Sequence, residues 1–362
     1  MNRPLYLSRP LSRPQSRFRS RFRSRSRTRP ESRPGATVAV VIPYFQRRPG
    51  ILVQAVASVL AQQPWQQGPA CTIIVVDDAS PVPAQVELAD LMAAHPGRIV
   101  LIGQANGGPA AARNAALDAV PAGTRYVAFL DSDDVWSAHH LRRAVCALEQ
   151  GTDLYFADHY QLDQQVSAFR RAGRIDPASH PALARGAGLH AYQGSMFDQI
   201  LAGNVIGTST VVYRHAAWPA LRFRPEFVSA GEDYLFWLDL CRLGARIAFS
   251  AQCECRYGAG VNIFSGASWG TPAALLRMHY EIKYRKALPL LFPLSLAQQR
   301  ANHRQLTGLR HGFVDSLLHS TWHRQRPLPG LMLRHARLDP STFAQALPWL
   351  VWRFCKRVLS YH

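Results

Sequence analysis

The run Thr37-Val38-Ala39-Val40-Val41-Ile42-Pro43 is apolar and largely β-branched, without the polar residue at every second position that a half-exposed strand would carry. Such a run predicts a parallel strand buried on both faces. Reading outward, Ile51, Leu52, Val56, Val59 and Leu60 recur at helical spacing, and Gln62-Gln63-Pro64 closes that segment. Cys71 to Val76 reads as a second strand, residues 84 to 94 as a helix, Arg98 to Ile102 as a third strand, Pro109 to Ala119 as a helix and Arg125 to Leu130 as a fourth strand. This alternation predicts an α/β fold: an open, mostly parallel sheet flanked by helices and joined by right-handed crossovers. Ligands of such sheets bind beyond the carboxyl ends of the strands.

Those ends are where the polar residues gather. Strand one runs into Pro43-Tyr44-Phe45, strand two into Asp77-Asp78-Ala79-Ser80, strand three into Asn106-Gly107-Gly108 and strand four into Asp131-Ser132-Asp133-Asp134. Any one of these loops could be no more than a helix cap or a turn. Four in register point to one crevice. Carboxylates at i and i+2 past a strand end, as in Asp131 and Asp133, can put one on a sugar hydroxyl and the other on a divalent cation that bridges phosphate oxygens. Mg²⁺ and Mn²⁺ favour such oxygen ligands, and Mg²⁺ takes only one or two protein carboxylates beside substrate phosphates. No Walker-type or G-x-G-x-x-G loop follows strand one, which removes the main support for P-loop and dinucleotide readings.

Composition sets the outer bounds. The chain has 362 residues, 48% of them hydrophobic, which suits a packed core and argues against disordered, collagen-like or repeat-only chains. Its net charge is +19, yet residues 1–35 hold eleven Arg against the single acid Glu31, so more than half of the excess lies in a tenth of the chain. That Arg- and Ser-rich arm is too polar and self-repelling to bury a core and is expected to be disordered. Its composition also fits a nucleic-acid arm, an anchor for an anionic membrane surface, or a transit peptide. The six Cys are scattered, and Cys253 and Cys255 lie too close together for the usual zinc spacing, so no disulfide framework or zinc knuckle is implied. No apolar run of membrane-spanning length occurs, and the expected location is cytoplasmic, with peripheral contact at the membrane face.

Together, Val40 to Phe45, Ile74 to Ser80, Asn106 to Asn114 and Phe129 to Asp134 resemble the four ordered signatures of the family-two inverting, non-processive glycosyltransferases, a likeness covering about residues 36–260. The resemblance implies an A-type glycosyltransferase fold that moves sugar from a nucleotide-diphosphate donor, by family habit a UDP-sugar, to a glycan or lipid-linked acceptor hydroxyl in cell-surface polysaccharide synthesis. By position it implies that Pro43, Phe45, Asp78 and Asn106 bind the nucleotide, with Asp78 on the base. Arg113 would lie nearby, Asp131 on the ribose or donor sugar, and Asp133 on a Mn²⁺ or Mg²⁺ cofactor. Phe45-Gln46 departs from the Tyr-Asn common in the family; stacking survives and one hydrogen bond is lost.

Ser229 to Trp237 opens a helix through about Leu243, and Glu232 and Asp233 suit its N-terminus. The resemblance implies that an acid here is the catalytic base. Asp233 is the expected one and Glu232 the alternative, because helical phase is not fixed by sequence. Arg256 and Tyr257 lie where the family often closes a loop over the diphosphate. His159, Tyr160, Arg170, Arg171 and Arg174 lie where acceptor specificity would be set. The expected domains are the arm 1–35, a catalytic domain 36–270 and a helical, basic extension 271–362, whose final aromatic and basic run around Trp349 suits either a membrane interface or packing on the body. Competing functions are a nucleic-acid-binding protein that uses the arm, although no specific nucleic-acid partner is expected, and a sugar nucleotidyltransferase.

Overall fold

The computed structural model describes residues 37–62, 71–161, 164–260, 268–323, 329–346 and 349. The arm, Gln63-Pro64 and most of the terminal run around Trp349 lie outside the described residues. Four strands form the first half: β1 Val38–Tyr44, β2 Cys71–Asp77, β3 Ile99–Gly103 and β4 Tyr126–Phe129, alternating with helices α1 Ile51–Leu60, α2 Ala84–Ala94 and α3 Pro109–Asp118. All three pairings among these strands are parallel, with β1 between β2 and β4 and β3 at the edge.

The second half alternates less regularly. It comprises β5 Val135–Trp136, α4 His140–Leu148, β6 Leu154–Tyr160, α5 Ala168–Ala172, β7 Leu189–Ala191, α6 Met196–Ala202, β8 Val212–Tyr213, α7 Glu232–Arg242 and β9 Ile247–Arg256. Among the described residues the sheet order is β3-β2-β1-β4-β8-β6-β9-β5, with β7 also on β9. The short β8 runs antiparallel to both β4 and β6, and β6 and β9 return to parallel pairing. The sheet is therefore mixed, with its parallel blocks joined through one two-residue strand.

Burial explains why β1 reads as continuous apolar sequence. Val38, Val40, Ile42 and Tyr44 enter one core with Leu52, Val56 and Val59 of α1 and Leu141 and Val145 of α4. Ala39 and Val41 enter the opposite core, with Ala112 and Ala116 of α3 and Leu235, Phe236 and Trp237 of α7. Each face is covered, so neither set of alternating side chains is free to be polar.

Four helices follow: α8 Pro272–Leu291, α9 Leu296–Trp322, α10 Pro329–Leu338 and α11 Pro340–Ala344. Tyr284 and Leu288 of α8 join the core beneath α7, while Leu275 packs with Phe313 of α9 and Leu331 of α10. The apolar run from Leu288 to Leu296 is broken after Leu291 rather than at Pro289, which stays inside α8. Proline cannot donate to the carbonyl four residues back, here Arg285, and Asn302 of α9 donates to that carbonyl instead at 2.9 Å. Trp349 stacks on His311 with ring centroids 3.8 Å apart, so at this residue the terminal run packs on the body. Residues 271–362 carry 14 Lys and Arg against three Asp and Glu, whereas residues 36–270 carry 17 against 19. No helix among the described residues is long and apolar enough to cross a membrane.

Candidate active site

The loops after β1 to β4 meet as their strand order requires, and hydrogen bonds between loops hold each in place. Asp77 turns back on its own loop, accepting from the Ser80 and Ala84 amides at 2.7 and 2.8 Å. Ala79 between them has φ 55°, a left-handed conformation uncommon outside glycine. Asp78 is buried, and its carboxylate accepts from Gln104 Nε2 at 2.7 Å and from the Gly107 and Gly108 amides at 2.7 and 2.8 Å. Two of about four acceptor positions on this carboxylate are thus spent on the Asn106-Gly107-Gly108 loop and a third on Gln104, leaving one open. Asn106 is exposed, and its side chain donates to the Asp78 carbonyl at 3.0 Å. Pro43 and Phe45 are half-buried at the crevice. Gln46, which replaces the expected Asn, is buried and donates to the Ser132 hydroxyl at 3.1 Å, tying the β1 loop to the D-x-D loop.

The D-x-D loop is built by partners distant in sequence. The Asp131 amide donates to the Ser209 hydroxyl at 3.0 Å, and that hydroxyl in turn donates to buried Asp134. Asp134 also accepts from the Gly258 amide at 3.0 Å, and Asp133 accepts from the Gly260 amide at 2.9 Å. A Cβ at Gly258 would stand 1.7 Å from the Asp133 carbonyl oxygen, so only glycine lets this backbone approach. Asp134, buried with each oxygen accepting one hydrogen bond, fits a structural role in the loop. Asp131 keeps a third of its side-chain surface exposed. Burial, and then the negative charge of Asp131, push Asp133 up to about 6.

Opposite stands the N-terminus of α7, and Arg113 of α3 spans the gap. This buried guanidinium binds Asp131 at 2.7 Å and Glu232 at 3.4 Å, and lies 5.3 Å from the centre of the Phe223 ring. Burial opposes its charge, but Asp131 and Glu232 outweigh burial and hold its pKa above the usual arginine value. Glu232 and Asp233 point to different partners: Glu232 to Arg113, Asp233 to the Thr208 hydroxyl at 3.0 Å, with its second oxygen on the Tyr234 amide at 2.8 Å. Burial raises both, Glu232 to about 8 with Asp233 adding to the effect.

Of the nine expected site residues, Asn106 is exposed and the other eight are buried or half-buried, at strand ends, in α3 and at the start of α7. Arg256 is exposed, while the Tyr257 ring turns inward onto His159. Thr208, Ser209, Gly258 and Gly260 were not singled out by sequence; a Thr-Ser-Thr cluster and paired glycines just after a strand are the signals they leave. Among the described residues no three His, Cys, Asp or Glu converge to hold a metal. Asp131 and Asp133 nevertheless fit a hard divalent cation, being two oxygen donors in one loop with more negative charge than their surroundings neutralise.

Comparison with known proteins agrees with this architecture. The mannosyltransferase PcManGT from Pyrobaculum calidifontis, solved in complex with GDP-Man and Mn²⁺, is similar in fold, with TM-score 0.54 at 15% identity over 88% of this chain and 83% of that one. The putative teichuronic acid biosynthesis glycosyltransferase TuaG of Bacillus subtilis (strain 168) is 26% identical over 233 residues, 64% of this chain and 82% of the relative. The succinoglycan biosynthesis protein ExoW of Rhizobium meliloti (strain 1021) is 34% identical over 246 residues, 66% of this chain and 74% of the relative. Residues 39–218 match the profile described as Glycosyl transferase family 2, and with these relatives and the A-type fold, the chain belongs to that family of glycosyltransferases.

Proposed function

We propose that the protein transfers a sugar, with inversion, from a nucleotide-diphosphate sugar to a hydroxyl of a glycan or lipid-linked acceptor during polysaccharide synthesis. The observation that carries this reading is the Arg113 bridge, which joins a donor-side carboxylate, Asp131, to Glu232 at the start of α7, next to Asp233. The relatives named for succinoglycan and teichuronic acid biosynthesis support a polysaccharide product. A UDP-sugar is the first donor to test, and GDP-mannose the second.

In this mechanism Pro43 and Phe45 line the nucleotide base, and Asp78 orders the loop beside it while keeping one acceptor position for the base. Asp131 orients the ribose or donor sugar. Asp133, with Asp131, would hold Mn²⁺ or Mg²⁺, whose charge offsets that developing on the departing diphosphate. Asp233 takes the proton from the acceptor hydroxyl as the new bond forms. Thr208 and the Tyr234 amide fix its carboxylate while leaving lone pairs for that proton. Glu232 is the anchor for Arg113 rather than the base, because its carboxylate faces the guanidinium.

The test is nucleoside diphosphate release from UDP-glucose, UDP-galactose, UDP-N-acetylglucosamine and GDP-mannose with and without Mn²⁺, with product configuration read by NMR. Cation-dependent release and an inverted anomeric centre are expected. Absence of binding and of release with every donor overturns the proposal, and release of pyrophosphate would favour a nucleotidyltransferase.

A further inference from the structure

Tyr257 leaves β9 between two parts of the site. Its amide donates to the Tyr160 carbonyl at 2.8 Å, and the next residue, Gly258, donates to Asp134. Its ring stacks on His159, with centroids 4.4 Å apart and planes 21° from parallel. The stack lies against Gly207, where a Cβ would come within 2.5 Å of the Tyr257 hydroxyl and 2.7 Å of His159 Cε1. Gly207 immediately precedes Thr208, the residue that holds Asp233. The phenol thus lies beside Gly207, next in sequence to the residue that holds Asp233, and its chain continues into the glycines that bind the D-x-D loop.

Two further observations point to a ligand. Tyr257 is half-buried, and among the described residues its hydroxyl has no hydrogen-bond partner. Behind it His159 is 4% exposed, and its Nδ1 is buried without a partner. Burial lowers His159 to about 4, so near neutrality the ring is an uncharged stacking surface. Burial, and then Asp134, Cys255, Asp131 and Asp233, hold the phenol well above its usual pKa, so it keeps its proton and can donate it in a hydrogen bond.

From this placement, we infer that Tyr257 donates a hydrogen bond to a sugar hydroxyl beside Asp233 and contributes to sugar selectivity, with His159 as the positioning residue that fixes the phenol. This goes beyond the expected diphosphate contact at Tyr257, and it rests on the sugar-transfer reading of the site.

The test compares the full chain with Tyr257→Phe, which keeps the stack. Calorimetry gives the affinity for UDP and for the four donors in Mn²⁺, donor hydrolysis is measured without acceptor, and transfer is measured to a panel of alkyl glycosides. Unchanged UDP affinity and melting temperature are expected, with hydrolysis or transfer reduced about tenfold. Reduced hydrolysis assigns the hydroxyl to the donor sugar; reduced transfer with normal hydrolysis assigns it to the acceptor. Normal rates in both assays, or a loss of UDP affinity equal to the loss of rate, overturns the inference while leaving the transferase reading intact. Failure of the unsubstituted chain to bind any donor overturns both.

Discussion

Two buried assemblies of opposite charge balance divide the molecule. At the site, one guanidinium, Arg113, serves Asp131 and Glu232 directly, with Asp233 close enough to act on it through space. In the C-terminal helices, fully buried Asp339 has two cations: Arg310 at 2.7 Å and Lys286 at 3.0 Å, plus the Thr342 hydroxyl at 2.8 Å. Partners outweigh burial at Asp339 and hold it well below the ordinary carboxylate range. Burial wins at Glu232 and Asp233, and both are raised. A carboxylate with cations to spare has no need of a proton or a metal and fits a structural role. A cluster with surplus carboxylate is stabilised by a proton or a cation, which is what a catalytic site must exchange.

The comparison breaks most sharply on activity. Asp233→Asn is expected to lower turnover about 10²- to 10⁴-fold, the usual contribution of a positioned base, with donor binding retained. Asp133→Ala should also abolish transfer and, unlike the first variant, abolish Mn²⁺-dependent donor binding. Calorimetry alongside a nucleotide-release assay separates them, and substantial turnover by either purified variant would falsify its assigned role. Asp339→Asn should do the reverse. Leaving Arg310 buried without its carboxylate is expected to cost about 3 kcal/mol in urea unfolding, with activity per folded molecule nearly unchanged.

The smallest effect is one of pH, and the two clusters should pull in opposite directions. Asp339 has a depressed value, so its contribution is present above the ordinary carboxylate range and is lost as the solution is acidified through its folded value. Glu232 is raised from an ordinary 4.5 to about 8, so the folded chain holds that proton more tightly than the unfolded one. Its contribution is complete at low pH and declines as pH rises from about 4.5 to about 8. Glu232→Gln should flatten that decline in melting temperature measured without divalent cation; an identical slope in both proteins would remove Glu232 as its source.

Legibility in the sequence followed the regular strand-helix alternation of the first half rather than strand length, for the seven-residue β6 and ten-residue β9 went unread. Strands β1, β2 and β4 could be read because burial on two faces leaves continuous apolar runs, the edge strand β3 kept an apolar run though partly exposed, and the carboxyl-end loops displayed Asp78, Asp131 and Asp133. The mixed half could not, since Val135–Trp136 and Val212–Tyr213 are two residues long and carry no periodicity. Nothing local announces that β8 inserts antiparallel between β4 and β6. The different partners of Glu232 and Asp233 were closed to sequence for a related reason: Arg113 and Thr208 lie 119 and 25 residues away. Ser209 and Gly258 were hidden likewise, being ordinary loop residues until the fold sets them against Asp134.

The insertion of β8 also bears on the order in which the protein assembles. Ser209 reaches back 78 residues to Asp131, and Gly260 reaches back 127 residues to Asp133. Contacts this far apart carry the loop-closure cost that slows folding. During synthesis the D-x-D loop leaves the ribosome long before the residues that shape it, so the first four strands can pair while the catalytic loop is still unformed. The D-x-D loop is then completed only when the segments flanking β8 and β9 dock against it.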